Sequence, residues 1–188
     1  RTDDALNYQR ELEKVGYSSD QTAAIRTRLM YAHIVKSSEH DAALKEALTL
    51  FVKKHPTYVP ALERLADLQL NQGQIDECAE LLVKAAKASP GDTAKWSRVI
   101  DLWLSTAPGE FQRRAERALA AARSSTQGIH GSARIDTEFV VAKTLLATNR
   151  PQEAQQLLNA LDALAEREGT KVSRTQEQTR LHLTGLCL

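Results

Sequence analysis

At 188 residues the chain can hold one continuous core or one short repeat array, and its 42% hydrophobic and 26% charged content, with only 5% aromatics, 8 Gly and 5 Pro, is poor in strand and turn formers and points to an all-α fold. The 25 basic side chains stand against 24 acidic ones, a net charge of +1, which sets up no long-range field towards phosphate or an anionic membrane, so nucleic acid is not a favoured partner. The apolar stretches, such as Phe139-Val140-Val141-Ala142, fall far short of the roughly 20 residues that cross a bilayer, so no membrane insertion is expected of this segment.

The chain opens at Arg1 with neither an initiator Met nor a basic start followed by an apolar stretch, so a signal segment is expected to be absent or already removed, and the sequence reads as a piece of a longer protein. Residues 1–24 are expected to carry an N-terminal helix, either a cap or the end of a preceding repeat. Leu6, Arg10 and Glu13 recur three or four apart between Asp3 and Val15, and Gly16 stops the helix. Residues 25–58 read as a helix pair, with Tyr31, Ala32 and Val35 inward on the first helix and Leu44, Leu48 and Phe51 on the second; Glu39 stands at the turn between them.

The next pair, 59–92, is the clearest, reading VPALERLADLQLNQGQIDECAELLVKAAKASPGD. Leu62, Leu65 and Ala66 lie at helical spacing, Gly73 supplies a left-handed stop, and Asp76 and Glu77 favour the start of a second helix whose inward face is Cys78, Leu82 and Ala85. Ser89-Pro90-Gly91-Asp92 then turns the chain. Residues 93–126 repeat the pattern with Trp96, Val99 and Ile100, then Ala115, Leu119 and Ala122, across a longer turn at Thr106 to Glu110 that is expected to bulge. A connector follows at 127–134, overlapping the Gly/Ser-containing stretch Ser124 to Ser132 that is the best candidate for a hinge or loop. Residues 135–168 form a further pair through Val141, Ala142, Ala154, Leu158 and Leu161, and 171–188 hold one more helix with Leu181, Thr184 and Gly185 inward.

Pro56 and Pro90, each closing a helical stretch, lie 34 residues apart. A shift of that length places Tyr31-Ala32 on Leu65-Ala66, Leu44 on Cys78, Leu48 on Leu82 and Phe51 on Ala85, apolar on apolar throughout. With its 34-residue period, its large residue, Leu and small residue on the first helix and its small, large, small set on the second, the chain resembles the tetratricopeptide repeat (TPR) family from about Ile25 onward, most fully over 59–92. The resemblance implies a right-handed α-solenoid of antiparallel helix pairs, in which each pair shields the apolar face of its neighbour.

In that family the first helices line a concave groove that holds a peptide or helix of a partner. Carried onto this sequence, the groove positions are Leu29, His33 and Lys36; Glu63, Asp67, Leu70 and Asn71; Ser97, Asp101 and Leu104; and Phe139, Lys143 and Leu146. The branch that clamps a terminal carboxylate would need basic or amide side chains where this chain has Leu29, His33 and Ala94, and only Arg98 agrees. Acidic residues at the centre instead favour a basic or amphipathic protein segment.

No cofactor, metal or catalytic machinery is implied. His33, His40, His55, His130 and His182 include no pair at i and i+4, Cys78 falls on an inward helical face, and the sequence has neither a Gly-rich phosphate loop nor a nucleophile elbow. Cys78 and Cys187 are too few for a disulfide framework. Arg113, Arg114, Arg117 and Arg123 form the local cationic surface, diluted by Glu110 and Glu116, and read as a solvated face. The expected role is a non-enzymatic protein–protein interaction scaffold within a larger assembly, secretion or regulatory complex; the alternative is self-assembly into a homo-oligomer through the ends of the stack.

Overall fold

The computed structural model describes residues 14, 19–38, 40–105 and 111–187; the expected helix at Asp3–Val15 apart from Lys14, the turn at Thr106–Glu110, Glu39 and Leu188 lie outside them. The described residues are all-α, with ten helices and no strand. The chain divides into two compact units, Arg1–Gln74 and Ile75–Leu188. The division falls at the turn in the middle of the predicted 59–92 repeat.

In the first unit, α1 (Ser19–Ser37), α2 (Asp41–Lys54) and α3 (Val59–Asn71) follow one another, with α2 packed on both neighbours. Helix α2 shows the clearest amphipathic logic. Leu44, Leu48 and Phe51, at i, i+4 and i+7, are buried, while Asp41 in the first turn and Lys53 and Lys54 in the last complement the helix dipole. Around Phe51 the rings of Tyr31, Tyr58 and His55 gather with centroids 6.1, 5.5 and 4.7 Å away, and the Tyr31 hydroxyl donates to the carbonyl oxygen of Pro60 at 3.3 Å. Tyr31 thus carries the contact of α1 with α2. Ala32 and Val35, expected inward, are exposed on either side of that contact, and α1 begins at Ser19 rather than at Ile25. Helix α3 ends as the sequence predicts: Gly73 takes φ +72°, and the Gln74 amide donates back to the Gln69 carbonyl at 2.9 Å.

The second unit holds α4 (Ile75–Lys87), α5 (Thr93–Leu104), α6 (Phe111–Ser124), α7 (Ser132–Ala147), α8 (Pro151–Asn159), α9 (Leu161–Arg167) and α10 (Arg174–Gly185). Each helix from α4 to α8 packs on the next, α5 also meets α7, and α7 meets α9 and α10. The expected core positions Cys78, Leu82, Ala85, Trp96, Val99, Ile100, Ala115, Leu119 and Ala122 are all buried. Asp92 caps α5 by accepting from the Lys95 amide at 3.3 Å.

Helix α7 is the hub of this unit, with nine buried residues distributed around its circumference. Its stripe Ile135, Phe139 and Ala142 packs with Leu158, Leu161, Ala165 and Leu183 of α8, α9 and α10. A three-residue turn, Thr148 to Arg150, joins α7 to α8, so the two run antiparallel; Asn149 there takes φ +58°, and the Arg150 amide closes on the Leu145 carbonyl at 2.9 Å, repeating the geometry after α3. The expected single second helix of 135–168 is divided at Ala160, with Leu158 and Leu161 buried on either side of the break.

Helix α10 opens with a capping box: Ser173 Oγ accepts from the Gln176 amide at 3.2 Å, and Gln176 Oε1 accepts from the Ser173 amide at 2.9 Å. Its inward residues are Gln176 and Leu183, seven apart; Leu181, expected inward, is 63% exposed.

Candidate partner-binding groove

Two stripes of side chains face each other where α5 meets α7. On α5 these are Ser97, Ile100, Asp101 and Leu104, and on α7 they are Val140, Lys143, Thr144 and Ala147; the spacings i, i+3, i+4 and i+7 put each set on one side of its helix. Together they line an open groove of about 180 Å³. That is smaller than the roughly 300–1,000 Å³ of pockets that enclose a drug-sized ligand. It is the scale of a few inserted side chains.

Ile100, Val140 and Thr144 are buried and form the apolar floor. The Thr144 hydroxyl donates to the Val140 carbonyl at 2.8 Å, which satisfies it within its own helix. Asp101 and Lys143 are exposed and stand on opposite walls. Ser97 and Ala147 keep the rim low, with no bulky side chain over the floor.

Of the groove residues expected from sequence, Ser97, Asp101, Leu104 and Lys143 come together here. Phe139 does not. It is 5% exposed in the α7–α10 core, and Leu146 packs against the same cluster. The projected register on α7 is off by one residue, which on a helix is a rotation of about 100°: Val140 and Ala147, not Phe139 and Leu146, face α5. The irregular connector before α7 breaks the 34-residue period, so the register of the earlier repeats does not carry across it. Ile100, Val140, Thr144 and Ala147 are the groove residues that the sequence reading did not assign to it.

The remaining expected positions belong to the first unit. Leu29 is half-buried on α1, with His33 and Lys36 exposed; on α3, Glu63 and Asp67 are half-buried and Leu70 and Asn71 exposed. Tyr31 lies near that acidic pair. Its hydroxyl titrates above the ordinary tyrosine value, chiefly because it is partly buried and then because Tyr58 stands close, with Glu63 and Asp67 adding to the effect and Arg64 opposing it.

The cationic surface on α6 is tied into the fold. Arg113 and Arg117 lie 3.8 and 3.3 Å from the Asp76 carboxylate at the start of α4, Arg117 stacks over the Trp103 ring at 4.9 Å, and Arg123 reaches Glu153 of α8 at 4.0 Å. Cys78 is fully buried, and Cys187 is half-buried, its thiol directed to the Leu183 carbonyl at 3.3 Å. His55 stacks on Phe51, while His33, His40, His130 and His182 are exposed.

The connector expected as a hinge is bonded on both sides. Ser125 and Ile129 are buried, and the Arg134 guanidinium donates to the Thr126 carbonyl and to Glu138. The Glu168 carboxylate accepts from the Gly131 amide at 3.0 Å and lies 3.4 Å from His130 Nδ1. The Gly131 hydrogen bond, with His130 and Arg134 adding to it, holds the Glu168 carboxyl below its usual range. Gln176 extends this lattice by donating to Ser132 and to the Asp136 carboxylate at 2.8 Å.

Searches against protein-family models, curated proteins and solved structures find no match for this chain.

Proposed function

We propose that this chain is a non-enzymatic protein–protein interaction scaffold, a TPR-like stack of helix pairs that takes a peptide or helix of a partner protein along its first helices. The observation that carries the reading is the α5–α7 groove, an apolar floor between two exposed charges of opposite sign. Four of its eight lining residues are ones that the repeat register had singled out as partner-facing. Within Ile75–Leu188 the order of packing supports it as well, since α4, α5, α6, α7 and α8 each meet the next helix and α5 also meets α7, as neighbouring units of a repeat array do.

Ala147→Trp would fill the groove from its rim, whereas Glu116→Trp places the same ring on an exposed face of α6. The proteins that copurify with the wild-type chain from its native source should be lost with Ala147→Trp and kept with Glu116→Trp, while both variants keep the wild-type circular dichroism melt. An unchanged set of copurifying proteins with Ala147→Trp overturns the groove reading.

A second reading, self-association, is favoured by Leu181 and Leu186, which are 63% and 58% exposed at and just beyond α10. It requires the mass measured by light scattering to rise with concentration and to return to that of a monomer in Leu181→Lys.

A further inference from the structure

Resting on the groove reading, we infer that the occupant of the α5–α7 groove is an amphipathic helix of a partner protein whose two flanks carry charges of opposite sign, a basic flank against Asp101 and an acidic flank against Lys143.

The floor decides between a helix and an extended strand. Over Ile100 and Val140 both walls are helix interior, whose backbone groups are bonded within the helix, and the Thr144 hydroxyl is taken by the Val140 carbonyl. An extended segment laid over Ile100 and Val140 would press amides and carbonyls against an apolar floor that offers them no partners, which disfavours it. A helix arrives with its backbone already satisfied and presents only side chains. Two helices side by side form a trough into which a third packs at roughly 8–10 Å between axes, provided that the contact residues are small. Ser97, Thr144 and Ala147 meet that condition.

Size and charge narrow the occupant further. A volume of about 180 Å³ over Ile100, Leu104 and Val140 suits aliphatic anchors of the Leu class. Asp101 and Lys143 stand on different walls, so a segment with flanks of one sign meets attraction on one side and repulsion on the other. A segment with one basic and one acidic flank meets attraction on both, and the polarity of the charges fixes the direction in which it lies.

The probes are three capped helical peptides of about three heptads with a common Leu seam, differing only at the flanking e and g positions, which are Lys/Glu, Lys/Lys or Glu/Glu. Fluorescence anisotropy with the full chain should show the Lys/Glu peptide binding about threefold to tenfold more tightly than either other, the scale of two exposed charge contacts. Asp101→Lys should transfer the preference to Glu/Glu, and Lys143→Glu should transfer it to Lys/Lys. Equal affinity for the three peptides, a preference that neither substitution moves, or no binding by any peptide overturns the inference. Ala147→Trp separates the two levels. Binding that Ala147→Trp abolishes but that ignores flank charge overturns the charge rule and leaves the groove reading intact; binding that survives Ala147→Trp overturns both.

Discussion

The two ends of α7 treat their polar side chains in opposite ways. At the N-terminal end the terminal nitrogens of Arg134 are held by Thr126 and Glu138, Gly131 by Glu168, and Ser132 and Asp136 by Gln176, so that these groups find partners within the fold. At the C-terminal end Lys143 stands in solvent across an apolar floor from Asp101. Buried or half-buried charge must be matched by the protein itself, whereas exposed charge beside apolar surface is left for something else to match. The same helix is therefore fastened at one end and presented at the other.

The sharpest way to break that contrast is to compare Phe139→Ala with Lys143→Ala, two positions that the repeat register placed on the same face. Phe139 is buried against Ile135, Leu158 and Leu183, so its truncation should cost about 3–5 kcal/mol and lower the melting temperature on the order of 10 °C. Lys143 is exposed, and its truncation should stay within about 0.5 kcal/mol while weakening a bound partner. Thermal melts of the two variants check both halves. Equal destabilisation would show that the repeat register, not the burial of Phe139 against Leu158 and Leu183, has the rotation of α7 right.

That comparison also marks how far the sequence could be read. The all-α composition and the inward faces of α2, α3, α4, α5 and α6 were legible, because a 3.6-residue apolar stripe such as Leu44, Leu48 and Phe51, or Trp96, Val99 and Ile100, follows from local geometry alone. The stop at Gly73 was legible for the same reason, since only a left-handed residue ends α3 in that way. What could not be read depended on contacts distant in sequence. Helix α7 is buried nearly all round because it touches α5 and α6 on one side and α8, α9 and α10 on the other, and with Thr137, Glu138 and Thr144 among its buried residues its polarity pattern gives no register of its own. Its rotation was borrowed from the earlier repeats across a connector whose length departs from theirs, and it came out one residue wrong. In α10, Gln176 replaces an apolar residue at the core face, so the pattern pointed to Leu181 instead. The Gly131–Glu168 contact spans 37 residues and leaves no periodic trace.

The smallest expected effect lies in that contact. Because the folded protein holds the Glu168 carboxyl below its usual range, the carboxylate binds protons less readily in the folded than in the unfolded chain. The stabilisation it gives is complete above the unfolded value near 4.5 and is lost as the pH falls through the lower folded value. Titration from pH 6 to pH 3 should therefore move the Gly131 amide resonance in a step centred below 4.5, with the Arg134–Thr126 bond and the rest of the connector following only at lower pH. Glu168→Gln should abolish the step and change the melt at pH 7 only slightly, since an amide oxygen still accepts from Gly131. The Lys143 resonances, on the presented end of α7, should not report that step. If they moved with Gly131, the two ends of the helix would be coupled and their division into a fastened and a presented half would fail.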